Sequence, residues 1–188
     1  ASQCRVAPHQ ITDVYPCTPM QEALFPITAR RPTAYTYHQV FRASRENDLD
    51  IARFQAAWEA VARTLPILRT RIVLDSNSAG FLQAVVDEPL VWHMGGDLDS
   101  YLAADKVAGF KPGKPLLRCA IVEEQNSGAK CFVLTSHHSM FDKWSMERIL
   151  FRYLYPAFSG REIPEAIPYP RFIRHVLHID MDAASHFW

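Results

Sequence analysis

The stretch from Phe132 to Ser145 constrains the fold more than any other. An apolar run, Phe132-Val133-Leu134-Thr135, leads into His137 and His138, and Asp142 follows four residues later at the start of a helical pattern. This reads as a strand feeding a turn that opens a helix. Such a turn holds its backbone while leaving an imidazole free to face a cleft, where the ring can accept or position a proton. The strand must also be brought to that point. Leu116 to Val122 and Lys130 to Thr135 flank Gln125-Asn126-Ser127-Gly128, which predicts an antiparallel hairpin ending at the histidines.

Upstream, Tyr15 to Phe25 predicts a helix start, with Thr18 as N-cap, Pro19 at the first helical position and Gln21 completing a capping box. Pro26 is expected to end or kink that helix. Tyr35 to Arg42 alternates apolar and polar side chains as a half-buried strand does. Asp50 caps a predicted helix to about Thr64, whose Ile51, Phe54, Trp58, Val61 and Leu65 share one apolar face; Pro66 stops it. Leu68 to Leu74 and Phe81 to Val86 form a second hairpin, Val91-Trp92-His93 a short strand, and Asp99 to Gly109 a helix. Trp144 to about Tyr155 predicts a helix shortened by Pro156, and Gly160 to Pro170 a linker before a last helical region, Arg171 to Trp188. This irregular alternation predicts an α+β sandwich.

Composition narrows the functional classes. With 188 residues, 48% hydrophobic and 21% charged, the chain suits one domain with a sizeable core, which argues against disorder and against a membrane span. Lys+Arg and Asp+Glu balance at 20 each, so neither a nucleic-acid partner nor an anionic membrane is expected. Cys4, Cys17, Cys119 and Cys131 are widely spaced without a Cys-x-x-Cys pair, as in a cytoplasmic protein with reduced thiols. No metal site is expected, because adjacent histidines diverge and no second cluster supplies a fourth ligand; His175 and His178, three apart, read as a helix face. The start without Met and the aromatic end at Phe187-Trp188 suggest a fragment.

Four local stretches resemble, in order, the condensation domains of nonribosomal peptide synthetases. His137-His138-Ser139-Met140-Phe141-Asp142 resembles that family's His-His-x-x-x-Asp-Gly core, and Tyr15 to Phe25 its opening motif. Leu68-Arg69-Thr70-Arg71-Ile72 is similar to its Leu-Arg-Thr-x-Phe segment, and Pro115-Leu116-Leu117-Arg118 also fits. Ser145, three residues beyond Asp142, is similar to the fungal form of the motif. Two departures stand out: Lys143 takes the place of the motif's glycine, and Arg63-Thr64-Leu65-Pro66-Ile67 replaces an Arg-His-Glu lead.

The resemblance implies a chloramphenicol-acetyltransferase-like α/β sandwich, with residues 1–188 forming the N-terminal lobe of a two-lobed domain whose C-terminal lobe is absent. It implies amide-bond formation between carrier-bound aminoacyl or peptidyl thioesters, with no tightly bound cofactor and phosphopantetheine delivered by the carrier proteins. It makes His138 the catalytic residue. His137, Asp142, Arg69 and Arg118 become structural members of the catalytic loop, with Asp142 paired to Arg69 first and Arg118 second. Asp142 can also cap the helix from Trp144. Lys143 and Ser145 are candidate substrate or oxyanion contacts. The expected partners are carrier-protein domains and the chain's own second lobe, without which the isolated lobe is expected to be inactive. Two other readings stay open: a complete single-lobe CoA- or thioester-dependent acyltransferase working as a trimer, and a non-catalytic lobe that docks carrier proteins.

Overall fold

The computed structural model describes residues 1–31, 33–43, 49–78 and 80–187. Its strands are β1 (Ile11–Pro16), β2 (Thr36–Arg42), β3 (Thr70–Leu74), β4 (Phe81–Val86), β5 (Trp92–Asp97), β6 (Leu117–Glu124) and β7 (Ala129–His137). Its helices are α1 (Pro19–Arg30), α2 (Ile51–Thr64), α3 (Leu98–Ala108), α4 (Lys143–Arg148), α5 (Tyr155–Phe158), α6 (Tyr169–Leu177) and α7 (Met181–Phe187), with a π-helical stretch, Ile149–Leu154, joining α4 to α5.

The strands form two sheets, ordered β1-β4-β3 and β2-β7-β6-β5. All neighbours are antiparallel except β5 and β6, which run parallel because α3 crosses between them. Both predicted hairpins are present, as β3-β4 and β6-β7. In the larger sheet, alternate residues feed two cores. Cys119, Ile121, Phe132 and Leu134 pack against Trp58, Val61 and Ala62 of α2 and against Met146, Ile149 and Leu154. Ala120, Val122, Cys131 and Val133 face the other way, against Leu98 of α3. Trp58 is fully buried, and truncating it to alanine would cost about 3–5 kcal/mol.

Local signals set most boundaries. Thr18 accepts from the Gln21 N–H while the Gln21 side chain accepts from the Thr18 N–H, so the predicted capping box closes. Asp50 caps α2 through the Arg53 N–H. Gly109 ends α3 at φ +56°, a conformation that costs glycine nothing.

Three expectations are corrected, and one strand is added. Pro26 does not end α1, which continues to Arg30; Phe25 and Thr28, on either side, are both buried, and that packing outweighs one lost hydrogen bond. Pro156 does not stop the helix at Tyr155, because the helical run reaches Phe158; the π-helical stretch just before the proline has already changed the carbonyl-to-amide spacing. The last region is two helices, α6 and α7, and Trp188 lies outside the described residues. The opening lead contains a strand, β1, which pairs with β4; its central Thr12 and Asp13 are exposed, so no alternation announces it.

Candidate functional site

Strand β7 runs between β2 and β6 and ends at His137, whose N–H donates to the Leu116 carbonyl at 3.0 Å. The next N–H, of His138, donates to the Tyr35 carbonyl at 2.9 Å, and Met140 closes a turn onto the His137 carbonyl at 3.0 Å. Alternation along the strand then sends the two rings to different surroundings.

The His137 ring is fully buried, edge-on to Phe25 and Phe110 at 5.4 Å each. Its Nε2 lies 2.8 Å from the Thr28 hydroxyl, and its Nδ1 lies 2.7 Å from the Ser139 hydroxyl and accepts the Ser139 N–H at 3.1 Å. Because Thr28 donates its proton to the Ala34 carbonyl, it accepts from His137, which assigns the ring hydrogen to Nε2. Burial first, and the neighbouring His138 second, push the pKa of His137 down to about 4. Such a ring stays neutral and has both nitrogens engaged.

His138 is exposed. Among the described residues, neither of its ring nitrogens has a hydrogen-bond partner, while the ring stacks on Phe141 with centroids 4.8 Å apart and planes inclined by 19°. Tyr37 of β2 adds a tilted contact at 5.7 Å. Further along the same face of β2, Phe41 helps wall an apolar cavity of about 300 Å³ with Phe54, Phe132, Leu150, Phe151 and Phe158. Phe132, its cross-strand partner on β7, stacks on it at 5.9 Å.

Asp142 is exposed and caps α4: its Oδ1 accepts the Ser145 N–H and the Ser145 hydroxyl, each at 2.7 Å. The Ser145 hydroxyl in turn accepts the Asp142 N–H at 2.9 Å, a reciprocal capping box. The Ser145 N–H, and then its hydroxyl, hold the Asp142 carboxyl below its ordinary range. Lys143, the first residue of α4, is not among the residues of positive φ, so no glycine geometry is demanded there; its ammonium lies 3.9 Å from Glu147.

The expected pairing of Asp142 with an arginine is corrected. Arg69 donates to Asp87 at 3.0 Å and to the carbonyls of Ala62 and Val86. Arg118 donates to Asp105 at 2.6 Å and to the Gly109 carbonyl, with its guanidinium over the Phe110 ring. An exposed carboxylate already filled by its own helix N-terminus needs no guanidinium. Among the described residues the buried acid is Asp105 on α3. Burial alone would raise its pKa, but the hydrogen bonds of His38 at 2.9 Å and of Arg118 outweigh burial and hold it far below its ordinary range. Phe110, under Arg118, also touches His137, so this ion cluster buttresses the histidine turn from behind.

Two supporting residues escape sequence reasoning. Gln21, legible only as part of a cap, also donates to the Ser139 carbonyl at 3.1 Å and to Gln83 at 2.8 Å, tying α1 to the turn. Thr28 meets His137 across 109 positions of sequence, and no local pattern signals such a contact.

The described residues thus form a two-sheet α/β sandwich with a His-His turn between the last strand and α4. The chain belongs to the Condensation domain family, whose family model matches residues 11–188. It is 73% identical over 188 residues to Nonribosomal peptide synthetase 7 of Gibberella zeae, with all of the chain covered and 4% of that relative. It is 39% identical over 192 residues to Nonribosomal peptide synthetase gloA of Glarea lozoyensis, covering 3% of it. The chain thus spans a small part of its curated relatives. Among solved structures it resembles the starter condensation domain of rhizomide synthetase RzmA, with a TM-score of 0.70 at 16% identity, covering 94% of this chain and 45% of that one. It also resembles the structure described as CT, with a TM-score of 0.71 at 16% identity, covering 92% and 40%. These two likenesses speak to the fold.

Proposed function

We propose that residues 1–188 are the histidine-bearing lobe of an amide-forming condensation domain. The lobe works with a second, C-terminal lobe and with carrier-protein domains whose phosphopantetheine arms present the two thioesters. The acceptor amine attacks the carbonyl carbon of the donor thioester. A C–N bond forms, the C–S bond breaks, and the amine proton passes through His138 to the departing thiolate. The single observation that carries this reading is the contrast between the two rings: His137 has both nitrogens engaged in the interior, while His138 is exposed on the turn with its nitrogens unengaged by any described residue.

The apolar cavity beside Phe41 and Phe132 lies on the same sheet face and offers room for an apolar part of a substrate. The need for a second lobe is supported by the 40–45% coverage of the condensation-domain-like structures, and by Phe151 and Tyr155, which are 73% and 56% exposed on the helical run after the turn. The lobe alone therefore leaves turnover negligible. Lys143 and Ser145 border the turn, but Ser145 is engaged by Asp142, which favours a helix-holding role for it.

The test is His138→Ala in the synthetase that contains this chain, with both carriers loaded. Peptide formation is expected to stop while carrier loading is unchanged. Undiminished product would overturn the assignment.

A further inference from the structure

Among the described residues, no hydrogen bond or ion pair orients the exposed ring of His138, and Asp142 spends its carboxylate on α4. What the ring does have is two aromatic neighbours from different elements. Phe141 lies beneath it at 4.8 Å and 19°, Tyr37 lies beside it at 5.7 Å and 51°, and Tyr37 and Phe141 touch each other at 5.9 Å and 48°. Phe141 is 7% exposed and packs into the core of α2 and the helical run after α4, so it cannot turn away from the imidazole. Tyr37 is fixed through its backbone in β2, directly opposite Ser136 of β7.

A stacked platform holds an imidazole differently from a carboxylate. The lone pair and N–H of the ring lie in its plane, so contact on the face restrains the side-chain torsions without occupying a nitrogen. A hydrogen-bonding acid would engage one of the two.

We propose that Phe141 and Tyr37 are positioning residues, an aromatic bracket that fixes the plane of His138 and leaves both nitrogens available to the reacting amine. This rests on the reading of His138 as the proton acceptor. Loss of the bracket lets the ring sample rotamers that point away from the amine. Since a displacement of about 1 Å at a reacting group can cost roughly a hundredfold in rate, loss of orientation appears in the chemical step and not in substrate binding.

The experiment measures amide formation by the synthetase containing this chain as the loaded acceptor carrier is varied. Tyr37→Leu is expected to lower the saturated rate about tenfold or more with the half-saturating carrier concentration unchanged, and Tyr37→Phe to restore it. Phe141→Leu, which keeps most of the apolar volume, is expected to act in the same direction; should it fail to fold, the exposed Tyr37 pair decides. Unchanged rates in both leucine variants, with His138→Ala inactive, would overturn the bracket alone. A Tyr37→Leu defect confined to half-saturation would make Tyr37 a substrate contact and also overturn it. An active His138→Ala would overturn the underlying assignment of the base.

Discussion

The carbonyl of Tyr35, a residue held at φ +55°, accepts the backbone N–H of His138 at 2.9 Å. A left-handed tyrosine costs roughly 1 kcal/mol, so the residue leading into β2 is kept in a strained conformation that meets the histidine turn. Tyr35→Val, whose branched side chain fits that region worse, is expected to destabilise the fold by a further ~1–2 kcal/mol. Tyr35→Gly should stay within about 0.5 kcal/mol of the parent, because relief of strain and added chain entropy oppose each other. Urea unfolding of the three proteins checks both values.

His137 makes stability depend on pH. Its folded pKa of about 4 lies below the ordinary 6.5, so the unfolded chain binds a proton that the folded chain refuses. The stabilisation is complete above pH 6.5, erodes as pH falls, and is gone once the folded value is passed, a total of roughly 3 kcal/mol. A stability profile from pH 7 to pH 4 is expected to slope downward, and His137→Asn to flatten that part of it.

Asp142 is expected to behave as a helix cap. Asp142→Ala should cost about 1 kcal/mol and Asp142→Asn much less, since asparagine also accepts the Ser145 N–H. With its pKa depressed, the charged carboxylate contributes fully above its ordinary value of 3.8 and is lost as pH falls through the lower folded value. Between pH 5 and pH 7 the carboxylate stays charged, so Asp142→Asn is expected to lower stability by a small amount that does not vary across that range. Thermal melts across that range measure it.

Arg118 carries a larger penalty. Its removal leaves Asp105, 7% exposed, with the His38 ring as its remaining side-chain ion-pair partner among the described residues. Arg118→Met is expected to cost about 3–5 kcal/mol, whereas Arg118→Met combined with Asp105→Leu recovers much of the loss. Denaturant titrations of the single and double variants, read as a thermodynamic cycle, give the coupling.

Where chemistry is local, the sequence was readable. The Thr18-Gln21 cap, the Asp50 cap, the apolar stripe of α2 and both hairpins depend on neighbours a few residues apart, and all are present. The strand-to-helix turn with its two histidines is local in the same sense. What failed depends on distant packing. Pro26 and Pro156 signal an end or a kink because their cost is local, while the burial of Phe25 and Thr28 and the π-helical stretch that offset it are tertiary. The partner of Asp142 is not legible in the sequence because an arginine on a strand declares its charge but not its direction; Arg118 shares its carboxylate with His38, some eighty residues upstream. Phe141 and Tyr37 gave no sign at all, since one sits at an unspecified position of the motif and the other is an ordinary strand aromatic.

The register of β2 on β7 has a consequence for how the protein is made. Thr36 pairs with His137 about a hundred positions later, and β2 is the outermost strand of its sheet. At about 5–20 residues per second of translation, β2 emerges roughly 5–20 s before the partner that completes it. For that interval Tyr37, Val40 and Phe41 form a sticky, unpaired edge. The histidine turn, suspended between the two strands, can be assembled only when that wait ends, so it takes shape only after both strands have emerged.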